Sequence, residues 1–338
     1  MNTERRILRR ISPRRAAVTA ASGALALTTV LTTGLALAGP AGASTLTSGG
    51  YQFRTVDNAR DLTFNQLLGV NNEGVIAGYF GSGAQGHPNQ GYLRWPNGAF
   101  TSENFPGSVQ TQVTGLNDEG VTVGFWSKMN NASQVNDNFG FFSVGGRFYS
   151  VNFPTGDNAS PPVDQLLGVN DHDVAVGFYT NGQGSNRGYT YSIRTRTFTR
   201  VLVPGAPAGQ AGPSLTAAAI NNYGDVAGFY NRTSSQVDAF LRLHYGRFIT
   251  LAVPGASMTQ ALGVNDHDEV VGVYTTGSGS NAQMHGFTWR PGYGFRTVDD
   301  PHGVGATTIN GVNDAGDLVG FYTDSAGNTD GMIALPRH

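Results

Sequence analysis

The chain contains no cysteine, and only 13% of its 338 residues are Asp, Glu, Lys or Arg. The first absence excludes disulfides and thiolate metal sites. The second leaves about half the usual share of charge, too little for helices with solvated faces. No G-x-S-x-G, H-E-x-x-H or phosphate-loop pattern occurs, so the common hydrolase, zinc-protease and nucleotide signatures are missing. What is abundant is glycine, at 48 residues, which suits short strands joined by tight turns. A chain of this length can bury an adequate core without covalent staples.

Residues 1–43 read as an export signal. Arg5, Arg6, Arg9, Arg10, Arg14 and Arg15 form a positive start, and Ala16 to Ala38 is uncharged and mildly apolar. Ala41-Gly42-Ala43 then offers a small-residue cleavage site before Ser44. The paired arginines leave the choice between general secretion and twin-arginine export open. The segment takes six Arg and one Glu with it, leaving 15 basic and 22 acidic residues and a net charge of −7. That balance argues against nucleic acid or an anionic membrane surface as partner. The expectation is a secreted, extracellular monomer with no membrane contact once the signal is cleaved.

The remainder is built from one repeat. Gly69-Val-Asn-Asn-Glu-Gly-Val-Ile-Ala-Gly-Tyr-Phe80 recurs six times, aligned on Asn71, Asn117, Asn170, Asn221, Asn265 and Asn313 at spacings of 46, 53, 51, 44 and 48. Seven positions after each Asn stands Gly78, Gly124, Gly177, Gly228, Gly272 or Gly320, with no gap inside the motif. Each unit reads as four short strands, A to D, as in Ala261–Asn265, Glu269–Tyr274, Gly286–Trp289 and Phe295–Asp299. Strand B is apolar at successive positions, so it is expected to be covered on both faces, as in radially packed sheets. The A–B link, Asn-Asp-x-Gly, predicts a type I turn with the fourth residue left-handed. Asp173 and Asp268 replace that glycine in the third and fifth units.

The ends indicate how the array finishes. The sixth unit supplies strands A, B and C and then stops, while Tyr51-Gln-Phe-Arg-Thr-Val-Asp57 nearly duplicates the strand D sequence Gly294-Phe-Arg-Thr-Val-Asp299. An N-terminal strand that completes the last unit would remove an open edge. The predicted fold is therefore all-β: a six-bladed β-propeller of four-stranded antiparallel blades over residues 44–338. Its repeats lie near 66–106, 112–153, 165–203, 216–253, 260–299 and 308–335, and strand 51–57 closes the ring.

The pattern Gly-Val-Asn-Asp-x-Gly-x-Val-Val-Gly-Tyr, followed by a His-Ala-Phe-like strand, resembles the bacterial extracellular HAF-repeat family. The namesake triplet is nearest at His285-Gly286-Phe287 and is altered at Gln90-Gly91-Tyr92, Arg187-Gly188-Tyr189 and Asp238-Ala239-Phe240. The resemblance spans residues 44–338 and implies a secreted repeat protein. It carries over no catalytic residue.

Candidate site residues follow from the expected blade geometry, in which variable B–C and D–A loops share one face. Five residues before each motif Asn stand Gln66, Gln112, Gln165, Thr216, Gln260 and Thr308, placed to ring the channel mouth or to bond neighbouring blades. Nine residues after it stand Phe80, Trp126, Tyr179, Tyr230, Tyr274 and Tyr322, placed to pack between blades or to offer rings to a sugar. His172 and His267, although flanked by carboxylates, read as solvated turn residues. Asp171-x-Asp173 and Asp266-x-Asp268 lack the glycine and distal Glu of a calcium loop. The leading functional expectation is a binding module without catalysis, whose partner is an extracellular glycan or surface protein, and it requires no cofactor. The alternative is a hydrolase or lyase at the channel mouth, calcium-dependent by analogy of fold, with Asp164, Asp299 and Asp300 as its catalytic candidates.

Overall fold

Residues 46–48, 50–84, 86–129, 136–205 and 212–337 are described by a computed structural model. The expected export segment lies outside them. Val, Phe and Tyr between glycine- and asparagine-bearing turns form strands throughout, and the described helical content is one 3₁₀ turn, Gly279–Asn281. The fifth repeat is representative: Met258–Val264, Val270–Thr276, Gln283–Arg290 and Gly294–Thr297 pair in order as an antiparallel sheet. Five more four-strand sets follow the same order. Strand C runs longer than its sequence pattern indicated, beginning three residues earlier at Gln283. Adjoining sets touch through isolated parallel pairs, Val237 with Met258, Phe64 with Thr329, Asn138 with Val163 and Met284 with Ala306.

The A–B turns take the expected form. Gly74, Gly120, Gly224 and Gly316 have φ between +75° and +85°, and Asp173 and Asp268 occupy the same conformation at +57° and +55°. Within each turn the motif Asn uses both ends of its amide. Its Oδ1 accepts the backbone N–H four residues on, from Val75, Val121, Val174, Asp225, Glu269 and Asp317 at 2.8–3.1 Å. Its Nδ2 donates to the carbonyl of the next motif Asn. These bonds run from Asn71 to Asn117, on through Asn170, Asn221 and Asn265 to Asn313, and from Asn313 back to Asn71, at 2.9–3.3 Å. The following residue makes a second circuit. Each backbone N–H of Asn72, Asp118, Asp171, Asn222, Asp266 and Asp314 donates to the side-chain oxygen of the next, and Asp314 donates to Asn72.

The glycine seven residues after the motif Asn has a steric cause. Strand A carries a bulge at the same place in every repeat. It brings the carbonyl of Gln66, Gln112, Gln165, Thr216, Gln260 or Thr308 to 1.9–2.4 Å from where a Cβ would stand. Any side chain there would separate strands A and B. Strand C supplies the largest core groups: Tyr92, Phe141, Tyr189, Phe240 and Phe287 are all but inaccessible.

Tyr51–Thr55 pairs antiparallel with Thr329–Pro336, from Tyr51 opposite Pro336 to Thr55 opposite Met332. Phe53 enters a core cluster with Ile309, Met332 and Ala334. A further strand, Leu46–Ser48, adds to its outer edge. Pro336 does not end the pairing, because Arg337 N–H still donates to the Gly50 carbonyl at 2.9 Å.

Candidate functional site

The aromatic position that ends strand B is mostly committed to packing. Tyr179, Tyr230, Tyr274 and Tyr322 are buried. The hydroxyls of the last three meet Thr250, Thr297 and Thr55 on the fourth strand of their sets at 3.2, 2.7 and 2.8 Å, while Tyr179 stacks on Phe153. Trp126 and Phe80 keep part of their surface open. Trp126 lies parallel to Phe105, with centroids 4.3 Å apart, and its Nε1 points to Ser150 Oγ at 3.3 Å.

The glutamine series likewise ties elements together. Gln66 accepts the Tyr79 hydroxyl at 2.8 Å. Gln112 and Gln165 donate to Asn89 and Asn138 of the preceding repeat, and Thr216 accepts from Asn186 in the same relation. Gln260 is half-buried. Thr308 Oγ1 and Gln165 Oε1 are buried without a partner. The Gln112, Gln165 and Thr216 bonds join neighbouring repeats through side chains and not backbone, whereas the Gln66 bond stays within its own repeat.

Asp164 is buried, and that desolvation pushes its carboxyl up to about 7. It accepts the Phe153 N–H at 2.7 Å and the Tyr189 hydroxyl. The same loop amide is held by Asn65, Thr111, Thr259 and Thr307 in other repeats, which makes Asp164 a loop clamp. Asp299 and Asp300 lie two repeats away, each with its own histidine. The three carboxylates are therefore not brought together. Among the described residues no three Asp, Glu or His side chains are grouped to hold a metal ion. His172 and His267 are exposed on their turns.

A different set of positions varies in chemical character from repeat to repeat. The strand B aromatic stands opposite the first residue of the strand C triplet: Phe80 faces Gln90, Trp126 Phe139, Tyr179 Arg187, Tyr230 Asp238, Tyr274 His285, and Tyr322 Asp330. Two residues beyond the aromatic come Ser82, Lys128, Asn181, Arg232, Thr276 and Asp324, and at the end of strand D come Asn104, Asn152, Leu202, Ala252, Asp299 and Asp57. Each repeat thus has a fixed aromatic floor and three strand-end residues whose combination no other repeat shares, although Asn104 matches Asn152 and Asp57 matches Asp299.

Their contacts differ accordingly. In the second repeat Lys128 Nζ lies 4.9 Å from the Phe139 ring and 5.5 Å from Trp126. In the fourth, Arg232 approaches Asp238 at 3.4 Å. In the fifth, His285 Nδ1 meets Asp299 Oδ2 at 2.8 Å and Nε2 meets Thr276 Oγ1 at 3.2 Å. In the sixth, all three positions are carboxylates. Burial, then the charges of Asp57 and Asp324, raises Asp330 to about 7, and burial raises Asp57 to about 6. Asp300 adjoins this group, with His302 Nδ1 at 3.1 Å and the His302 ring over Tyr322. Burial also raises the Asp300 carboxyl.

Sequence reasoning reached Asp299 and Asp300 but missed Thr276, His285, Asp330 and Asp57. The available signal was disagreement between repeats at the first position of the triplet.

No protein-family model matches the chain, and no curated protein does. Solved structures are similar in fold. AofleA from Arthrobotrys oligospora is 12% identical, with a TM-score of 0.51 over 80% of this chain and 83% of that one. Virginiamycin B lyase from Staphylococcus aureus is 10% identical, with 0.45 over 84% and 99%. The Aleuria aurantia fungal lectin, a six-bladed β-propeller that recognises fucose, is 10% identical, with 0.41 over 69% and 78%. At these identities the likeness concerns the all-β architecture alone.

Proposed function

We propose that the chain is a six-bladed β-propeller closed by Tyr51–Thr55, and that it binds glycans through its strand-end residues. The observation that carries the binding reading is the contrast between an aromatic position kept in every repeat and a trio of strand-end neighbours whose combination is different in each. A uniform scaffold with unlike polar groups at matching places is how a rigid fold acquires recognition without altering its core. Half-exposed Trp126, with the Lys128 ammonium 5.5 Å from its ring, offers an apolar surface and a hydrogen-bond donor to a pyranose. Six-fold closure is supported by the circuit of motif asparagines, whose last bond returns from Asn313 to Asn71.

The reading is tested by calorimetry and glycan-array binding with the protein and its Trp126→Ala and Gln90→Ala variants. Binding to at least one glycan class is expected, weakened by about tenfold or more on loss of the indole, since one aromatic contact contributes on the order of 1 kcal/mol or more. Absence of binding to every glycan and cell-wall fraction, or equal binding by folded variants, removes this function.

A further inference from the structure

Thr276, His285 and Asp299 come from three different strand ends of the fifth repeat and form one continuous hydrogen-bonded line. Asp299 Oδ2 lies 2.8 Å from His285 Nδ1, and His285 Nε2 lies 3.2 Å from Thr276 Oγ1. With Nδ1–H donated to the carboxylate, the Nε2 lone pair faces the hydroxyl, which donates to it. That is the order of groups that activates a hydroxyl nucleophile: a carboxylate fixes the tautomer, the imidazole takes the proton, and the oxygen attacks.

Each member is also held by a second contact. Asp299 Oδ1 accepts the Gly286 N–H at 3.1 Å. The imidazole stacks on Tyr274, with centroids 5.1 Å apart at 29°, and the Tyr274 hydroxyl is fixed by Thr297. The structural duty of the strand D residue is met by Oδ1 alone. Asn104 Oδ1 and Asp57 Oδ1 accept the matching glycine N–H in the first and sixth repeats at 2.9 and 3.2 Å, with no imidazole involved. The second oxygen of Asp299 is therefore surplus to the strand tie, and His285 uses it. The line is open to solvent at a useful level: the side chains of His285 and Asp299 are 24% and 40% exposed, and Thr276 is half-buried.

We propose that Thr276, His285 and Asp299 form a nucleophilic site that hydrolyses carboxylic esters. Thr276 Oγ attacks the ester carbonyl carbon and its proton passes to His285 Nε2. The bond from the acyl carbon to the alcohol oxygen breaks, and the alkoxide takes the proton from His285. Water then attacks the acyl-threonine and gives a proton to His285. The Thr276 oxygen leaves with that proton, releasing a carboxylic acid. Ester and water become acid and alcohol, with no cofactor and no redox change. This activity does not depend on the glycan reading, because the substrate is defined by its acyl group.

The test uses the full chain with p-nitrophenyl acetate, and a fluorophosphonate probe followed by peptide mass analysis. Expected are turnover above that of Thr276→Ala, a probe adduct on the peptide holding Thr276, and substantial activity in Thr276→Ser. Thr276→Ala and His285→Ala should fall to the non-specific background. Asp299→Asn should fall by about 10²-fold or more, since a mis-set tautomer in such a line costs up to roughly 10⁴. Added imidazole should partly rescue His285→Ala, a result that a merely structural histidine would not give. Wild-type turnover equal to that of a folded Thr276→Ala variant, or an adduct elsewhere with none on Thr276, overturns the proposal.

Discussion

At the scale of the residue, the motif asparagine accounts for why this repeat tolerates no substitute. One amide closes a turn with its oxygen and reaches the next repeat with its nitrogen; both partners are backbone groups, and the bond to the next repeat is buried. Asn170→Asp keeps the acceptor but removes the donor to the Asn221 carbonyl, whereas Asn170→Ala removes both. Each should lower unfolding free energy by about 1–3 kcal/mol, the cost of leaving a buried polar group unpaired, as read from urea midpoints. An Asn170→Asp variant as stable as the parent would mean that the inter-repeat bond contributes nothing. The outer circuit follows similar reasoning. Asn72 donates its two amide hydrogens to Asp118 and Asp314, and Asn222 donates to Asp171 and Asp266. Two amides, three repeats apart, thereby serve four carboxylates, and every Asp has one Asn neighbour.

At the scale of the element, the strand Tyr51–Thr55 is the decisive piece. It supplies Phe53 to the core of the sixth repeat and covers the edge of Thr329–Pro336, which would otherwise present unpaired backbone groups. A chain starting at residue 58 should lose cooperative unfolding or become insoluble, whereas one starting at residue 46 should melt like the parent in a thermal scan. Equal melting of both would refute closure by this strand. The role of this segment was legible because Tyr51–Asp57 copies the end of the fifth repeat almost letter for letter. The turns were legible too, including the left-handed Asp173 and Asp268, because their spacing never varies. The strand-end site was not. Thr276, His285 and Asp299 are separated by a loop and a hairpin, and no two repeats share the combination, so no periodicity points to them. Asp164 misled for the converse reason. Its carboxylate looked chemical beside the channel, yet the position is one that Thr111, Thr259 and Thr307 fill with a hydroxyl.

At the scale of the whole molecule, the raised carboxyls link stability to acidity, and three of them are shifted far. Asp57 sits at about 6, and Asp164 and Asp330 at about 7, each raised chiefly by burial. Asp57 and Asp330 lie on the two segments, from opposite ends of the chain, that pair in the sixth repeat. In an unfolded chain these groups ionise near 4. Between that value and 6 to 7 the folded protein therefore binds protons that the unfolded chain has released, so stability falls as pH rises through this range. The contribution is fully present below about 4 and gone above about 8. The melting temperature should accordingly be higher at pH 5 than at pH 8. Asp57→Asn with Asp330→Asn should narrow that difference by roughly 2–4 °C for each kcal/mol of proton linkage removed. The double variant should also be the more stable protein at pH 8, because it no longer holds two ionised carboxylates against each other there. If calorimetry finds the same pH dependence with and without this pair, the proton is held elsewhere, and Asp164→Asn is the variant that should then flatten the curve.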